Sequence, residues 1–251
     1  MYFYYKDFKL YYEIHGNHKE SILILPGWGD TRNTFKYMIS FLKNYYTVYI
    51  IDYPGFGNST FPNTHLTIYD YAELINNFIK EKKLNNLTLI GHSFGGRIII
   101  LLLGYLHNKY NKIILIDSAG IKPKLNIKSF FKQKLYKLLK LLRFILPKKL
   151  RKKYIERLIS IFGSTDYKDL SKNMRQTFNN IVNEDLTKYL NNINRELLII
   201  WGQNDIDTPL SDGKKINKAI KESSLIVLPG THFVYLENIT LVNNIIYEYL
   251  K

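Results

Sequence analysis

The chain has 251 residues, 46% of them hydrophobic, which suits one larger domain, or one domain with an insertion, around a sizeable core. It has no cysteine, which excludes disulfides, a thiol nucleophile and any cysteine-ligated metal. The net charge of +15 is unevenly placed: residues 121–160 carry 14 Lys and Arg against Glu156 alone, a net of +13, leaving +2 for the rest.

Residues 2–7 and 9–14 read as two short aromatic-rich strands split by a turn. Residues 21–25 are a short apolar strand that ends at Pro26-Gly27-Trp28-Gly29. Asp30 or Thr31 is placed to cap a helix running to about residue 43. A strand over 47–51 closes on Asp52-Tyr53-Pro54-Gly55-Phe56-Gly57-Asn58-Ser59, and 67–82 has helical spacing with Tyr71, Leu74, Ile75 and Phe78 on one side. Residues 87–90 form a buried strand, 94–108 a helix, and 112–117 another buried strand. From 121 to about 194 no strand-like run occurs and the pattern is helical. Strands return at 197–201 and 225–228, with helices over 212–221 and 237–250. This alternation predicts right-handed crossovers and a mostly parallel, eight-stranded α/β sheet with helices on both faces. Residues 1–120 and 195–251 are its core, and 121–194 are a basic helical cap inserted after the sixth strand.

The most informative segment is Gly91-His92-Ser93-Phe94-Gly95, set between an apolar strand and an apolar helix. That is G-x-S-x-G in the strand–turn–helix context that gives it meaning. The bend forces Ser93 into a strained backbone that presents its hydroxyl, and a side chain at Gly91 or Gly95 would collide across it. A serine needs a base, usually an imidazole oriented by a carboxylate, and active groups gather beyond the C-terminal strand ends. Gly202-Gln203-Asn204-Asp205 and Gly230-Thr231-His232-Phe233 each follow such an end. The order Ser93, Asp205, His232 fits a nucleophile elbow. Asp207 is the alternative acid, though Asp207-Thr208-Pro209 reads more as a turn. The backbone amides of Phe94 and Trp28 are the candidate oxyanion donors. Asp52 reads as a turn-capping aspartate rather than part of a phosphate loop, and His92 as a packing residue. His15 and His18 lie three apart but in a Gly/Asn turn that suits a metal poorly, no H-E-x-x-H occurs, and neither metal nor cofactor is expected.

Leu25-Pro26-Gly27-Trp28-Gly29, the segment from Asp52 to Ser59, Gly91-His92-Ser93-Phe94-Gly95-Gly96, Trp201-Gly202-Gln203-Asn204-Asp205 and Gly230-Thr231-His232-Phe233 together resemble the α/β-hydrolase superfamily, in the branch with a helical cap. The resemblance implies Ser93 as nucleophile, His232 as base, Asp205 as its partner, and amides of Trp28 and Phe94 as oxyanion hole. One departure is Pro26-Gly27, where such loops usually begin His-Gly. Haloalkane dehalogenases and epoxide hydrolases of this fold use aspartate at the elbow, so Ser93 argues against both. Carbon–carbon bond hydrolases of this fold usually carry Asn before the serine and Trp after the histidine, where this chain has His92 and Phe233. Arg175 is a candidate for holding a substrate carboxylate as in those enzymes. The expected activity is hydrolysis of a carboxylic ester or thioester through an acyl-enzyme. The Gly27-Trp28-Gly29 loop is similar to that of esterases acting on carrier-linked methyl esters. The alternatives are carbon–carbon bond hydrolysis and a non-catalytic module that binds an apolar ligand.

In the cap, Phe130, Phe131, Leu135, Leu138, Leu142 and Ile145 cluster on one helical side, and Lys128, Lys132, Lys140 and Arg143 on another, with Lys134, Lys137, Leu139 and Phe144 blurring the division. The expectation is a helix lining an acyl pocket with its apolar side and showing lysines to water. Phe130, Phe131, Arg175 and Phe233 are the candidate substrate contacts. The charge also suits an anionic membrane surface or an acidic carrier protein, but no nucleic-acid motif accompanies it. The N-terminus reads Met1-Tyr2-Phe3-Tyr4-Tyr5-Lys6, without a signal-peptide pattern, and the expected location is cytoplasmic.

Overall fold

The central strands form where Ile and Leu run together between turns, and alternate side chains in them serve two separate cores. Leu23, Leu89, Leu115 and Ile199 face one side of the sheet, and Ile22, Ile90, Ile114 and Ile200 the other. The computed structural model describes residues 1–122, 127–163, 165–168 and 170–251; for 127–133 and 165–166 it gives the helix but not the side chains. Burying each such side chain contributes about 1.5–3 kcal/mol before the entropy of ordering it is counted.

The strands are β1 (Tyr2–Tyr5), β2 (Phe8–His15), β3 (Ser21–Leu25), β4 (Thr47–Ile51), β5 (Leu87–His92), β6 (Ile113–Ile116), β7 (Leu197–Gly202) and β8 (Ser223–Leu228). They make one eight-stranded sheet in the order β1-β2-β4-β3-β5-β6-β7-β8. β1 and β2 are antiparallel, as are β2 and β4; every later pair is parallel. The chain steps from β3 out to β4 and then back past β3 to β5. That reversal opens a crevice beyond the C-terminal ends of β3 and β5, where ligands of open α/β sheets bind.

The helices are α1 (Lys36–Leu42), α2 (Ile68–Glu81), α3 (Phe94–Gly104), α4 (Ile127–Leu141), α5 (Lys148–Phe162), α6 (Thr165–Lys168), α7 (Lys172–Asn183), α8 (Thr187–Leu190), α9 (Leu210–Ala219), α10 (Val234–Glu237) and α11 (Ile239–Leu250). The helices α2, α3 and α9 pack Phe78, Ile98 and Ile216 on one face, while α1 and α11 pack Met38 and Ile246 on the other. α2 starts in a capping box: the Asp70 amide donates to Thr67 Oγ1, and the Thr67 amide donates to Asp70 Oδ2 at 2.7 Å.

Several boundaries differ from the sequence reading for local reasons. Thr31 makes no side-chain cap; Arg32–Phe35 form a 3-10 turn, and α1 begins only at Lys36. The α3 helix stops at Gly104, where a Cβ would overlap the carbonyl of Tyr189. Pro209, at φ −56°, starts α9 two residues earlier than expected. The strand β8 begins at Ser223, which pairs with Leu197, and the final helix is divided at Asn238.

The larger correction concerns the cap. Leu135, Leu138, Leu142 and Ile145, expected to line a pocket, are exposed. Phe130 and Phe131 lie outside the residues whose side chains are described. The part of the cap that meets the core is α7 with the segment after it. Met174, Ile181, Leu186, Leu190 and Ile193 are buried in the same cluster as α2 and α3.

Candidate active site

Every residue of β5 and α3 is buried, so the turn between them cannot relax outward. Ser93 takes φ 48° and ψ −109°, a sparsely populated combination costing about 1–3 kcal/mol. Its surroundings fix it there. The Ser93 amide donates to the Ile116 carbonyl at 3.1 Å, and the Ser93 carbonyl accepts from the amides of Gly96 and Ala119, both at 3.0 Å. A Cβ at Gly95 would overlap the Leu25 carbonyl oxygen, so α3 can approach β3 only with glycine there.

β7 and β8 deliver the partners. Ser93 Oγ lies 2.9 Å from His232 Nε2, and His232 Nδ1 lies 2.8 Å from Asp205 Oδ2. A carboxylate only accepts, so Nδ1 carries the proton and Nε2 offers its lone pair to the serine hydroxyl. The other oxygen of Asp205 accepts from the amides of Asp207 at 2.8 Å and Thr208 at 2.9 Å. Asp207 contributes its amide to this arrangement, and its own side chain is exposed. Asp205, Asp207 and His232 form the one acid–histidine cluster of metal-ligand size among the described residues. The donors already on Asp205 and the proton on His232 Nδ1 leave it ill suited to a cation.

The electrostatics follow from burial and pairing. Desolvation pulls the His232 imidazolium toward deprotonation, but the hydrogen bond and charge of Asp205, with Asp117 and Asp207 behind it, more than offset this and leave its pKa above the ordinary value. Asp205 is shifted the other way. Burial works against its charge, and the bonds from His232 and Thr208 outweigh burial and hold it below the usual carboxylate value.

Three supporting residues escaped the sequence reading. Thr208 Oγ1 donates to Asp205 Oδ2 at 2.6 Å and sits 3.1 Å from His232 Nδ1 and 3.0 Å from the Asp117 carbonyl. Asp117, fully buried at the end of β6, accepts from the Gly202 amide at 2.7 Å and the Val234 amide at 3.4 Å. It thereby ties the loop bearing Asp205 to the one bearing His232. Burial is the main cause that pushes Asp117 up to about 8. His92 does more than pack: its Nε2–H donates to the His232 carbonyl at 2.8 Å, and its Nδ1 stands 3.4 Å from Asp30 Oδ2. A Cβ on Gly27 would crowd both Asp30 and His92, so these two side chains back the Pro26-Gly27-Trp28 loop where a His-Gly pair would otherwise stand. No periodicity marks any of the three, because their contacts are made between loops that only the folded sheet brings together.

Among the described residues, neither the Trp28 nor the Phe94 amide donates a hydrogen bond. The Trp28 ring packs edge-on against Phe56 at 4.8 Å and Phe94 at 5.4 Å, and lies 5.4 Å from Phe178 of α7. Phe178 and Phe56 were not singled out in the sequence, and through the former the cap reaches Trp28, which itself packs on Phe94 of the elbow. Phe233 lies 5.6 Å from the rings of His232 and His92. Arg175 is committed elsewhere: it pairs with Glu156 at 3.0 Å and donates to the carbonyls of Tyr167 and Lys168. Its guanidinium holds the cap together, which leaves no free fork for a substrate carboxylate. Asp52 is structural, as expected, accepting from Arg32 and the Asn58 amide, both at 2.9 Å.

The family model for the alpha/beta hydrolase fold matches residues 20–187. A putative esterase/lipase of Mycoplasma genitalium is 30% identical over 202 residues, covering 76% of this chain and 73% of that protein. A pimeloyl-[acyl-carrier protein] methyl ester esterase of Wigglesworthia glossinidia brevipalpis is 24% identical, covering 96% of this chain and 97% of its own. Among solved structures, an esterase from Exiguobacterium antarcticum superposes with a TM-score of 0.75 at 25% identity, covering 97% of this chain and 96% of that one. With sheet order, elbow and family match in agreement, the chain belongs to the α/β hydrolase family.

Proposed function

We propose that this protein is a serine esterase that cleaves a carboxylic ester or thioester with an apolar acyl part through an acyl-enzyme on Ser93. The chain is a hydrolase acting on ester bonds. The observation that carries the finer reading is the unbroken line Ser93 Oγ to His232 Nε2 at 2.9 Å and His232 Nδ1 to Asp205 Oδ2 at 2.8 Å.

In this reading Ser93 Oγ attacks the substrate carbonyl carbon as its proton passes to His232 Nε2. Asp205 keeps the imidazole in the right tautomer and stabilises the imidazolium. The unpaired amides of Phe94 and Trp28 receive the oxyanion; one such donor is worth about 3–4 kcal/mol of transition-state stabilisation. His232 then protonates the departing alcohol or thiol, and water activated by the same nitrogen releases the acid. Trp28, Phe56, Phe178 and Phe233 supply the apolar surface near the elbow that favours an apolar acyl group.

The test is hydrolysis of esters and thioesters of graded acyl length. The expected result is kcat/KM that rises with acyl length and vanishes in Ser93→Ala. Turnover retained by Ser93→Ala contradicts the nucleophile, and rates that fall steadily from the acetyl ester contradict the apolar acyl site.

A further inference from the structure

The cap carries a surface that the elbow does not use. A 3-10 turn over Leu142–Phe144 and a corner at Pro147 join α4 to α5. The corner is held by internal bonds: Tyr154 Oη donates to the Leu139 carbonyl at 2.8 Å, and Arg151 Nε to the Leu146 carbonyl at 3.0 Å. On its outer side Lys137, Leu138, Lys140, Leu141, Arg143 and Phe144 line one shallow depression of about 480 Å³. Leu138 and Phe144 are about 60% exposed and the adjoining Ile145 is 81% exposed. Clustered apolar side chains left in water among cations mark an interaction surface.

We propose that this corner docks the protein onto an anionic lipid bilayer. Leu138, Leu141, Phe144 and Ile145 enter the boundary between headgroups and acyl chains, while Lys137, Lys140 and Arg143 reach the headgroup phosphates. Charge selects this occupant. Residues 121–160 carry a net +13, and their single acid, Glu156, is held by Arg175 at 3.0 Å. A second copy placed face to face would bring two such surfaces together. Protein interfaces are depleted of lysine at their apolar centres, whereas here lysines alternate with leucines in one depression. An anionic bilayer presents that combination, negative charge directly over hydrocarbon. No helix among the described residues is long and apolar enough to cross a membrane, and the contact is with the membrane surface.

The proposal does not rest on the hydrolase mechanism, and sedimentation of the full chain with vesicles separates the two. The protein is expected to sediment with vesicles containing phosphatidylglycerol and not with phosphatidylcholine alone, with release at high salt. Lys137→Gln with Lys140→Gln is expected to weaken binding roughly thirtyfold. Phe144→Glu with Ile145→Glu is expected to weaken it by more than about tenfold. Both variants should keep the circular dichroism spectrum and small-ester rate of the parent, and Ser93→Ala should bind as the parent does. Equal sedimentation with both lipids, none with either, or binding unchanged in the cap variants overturns the proposal. A dimer in sedimentation velocity that Ile145→Glu dissociates also overturns it, by assigning the face to a second copy.

Discussion

Replacing Asp205 by asparagine tests whether this carboxylate sets the tautomer of His232, the proposed base. Its Oδ1 accepts two backbone amides, from Asp207 at 2.8 Å and Thr208 at 2.9 Å. An NH2 group there would face two N–H donors, so the asparagine oxygen must keep that position. Its NH2 then occupies the place of Oδ2, 2.8 Å from His232 Nδ1, and donates to that nitrogen. The imidazole proton is driven to Nε2, the atom 2.9 Å from Ser93 Oγ, where a lone pair is required. The Thr208 hydroxyl can turn to the Asp117 carbonyl at 3.0 Å, so no donor is stranded and the fold survives. A wrong tautomer with intact geometry costs about 10⁴-fold in rate, or about 5 kcal/mol. The assay is kcat/KM on a short activated ester, beside a circular dichroism spectrum. Asp207→Asn, a change confined to an exposed side chain, is expected to stay within about twofold of the parent. A loss smaller than about tenfold in Asp205→Asn, or a large one in Asp207→Asn, refutes the reasoning.

Three further outcomes follow from the same geometry. Because Asp205 holds the His232 pKa above 6.5, the rate should climb with pH through a midpoint above 6.5; a midpoint below that value contradicts the dominance of the carboxylate. Thr208→Val removes a donor from Asp205, which then binds the imidazolium proton more tightly; kcat/KM at neutral pH should fall by about tenfold and recover at higher pH, whereas a pH-independent loss would indicate a purely structural role. Asp117 titrates at about 8 in the fold against an ordinary 3.8, so folding favours its protonated form and stability is lost as pH rises between those values. Asp117→Asn should flatten the fall of melting temperature over that range without abolishing it, since His232, also raised, contributes with the same sign; an unchanged slope would count against the buried carboxyl.

The elbow was legible because its five residues encode a bend that only glycine neighbours tolerate, framed by a strand and a helix with no polar face. Asp205 and His232 were legible because each closes an apolar run at the same end of a parallel sheet. Asp117 and His92 were not, since they act on backbone atoms 85 to 140 positions away in sequence; nor was Thr208, whose bonds to Asp205 and toward His232 depend on how two loops fold together. The cap misled for a different reason. Periodicity in α4 cannot say whether a leucine meets a core or water, and Leu138 and Leu141 share one open depression with Lys137 and Lys140. Here α7 meets Trp28, in the loop after β3, through Phe178, and the corner after α4 faces outward.

The central claim is tested most directly by trapping the covalent state with a fluorophosphonate and locating it by mass spectrometry. The account predicts one stoichiometric adduct on the peptide containing Ser93, none in Ser93→Ala, and much slower labelling in Asp205→Asn. An adduct on another residue, or full labelling of Ser93→Ala, would contradict it.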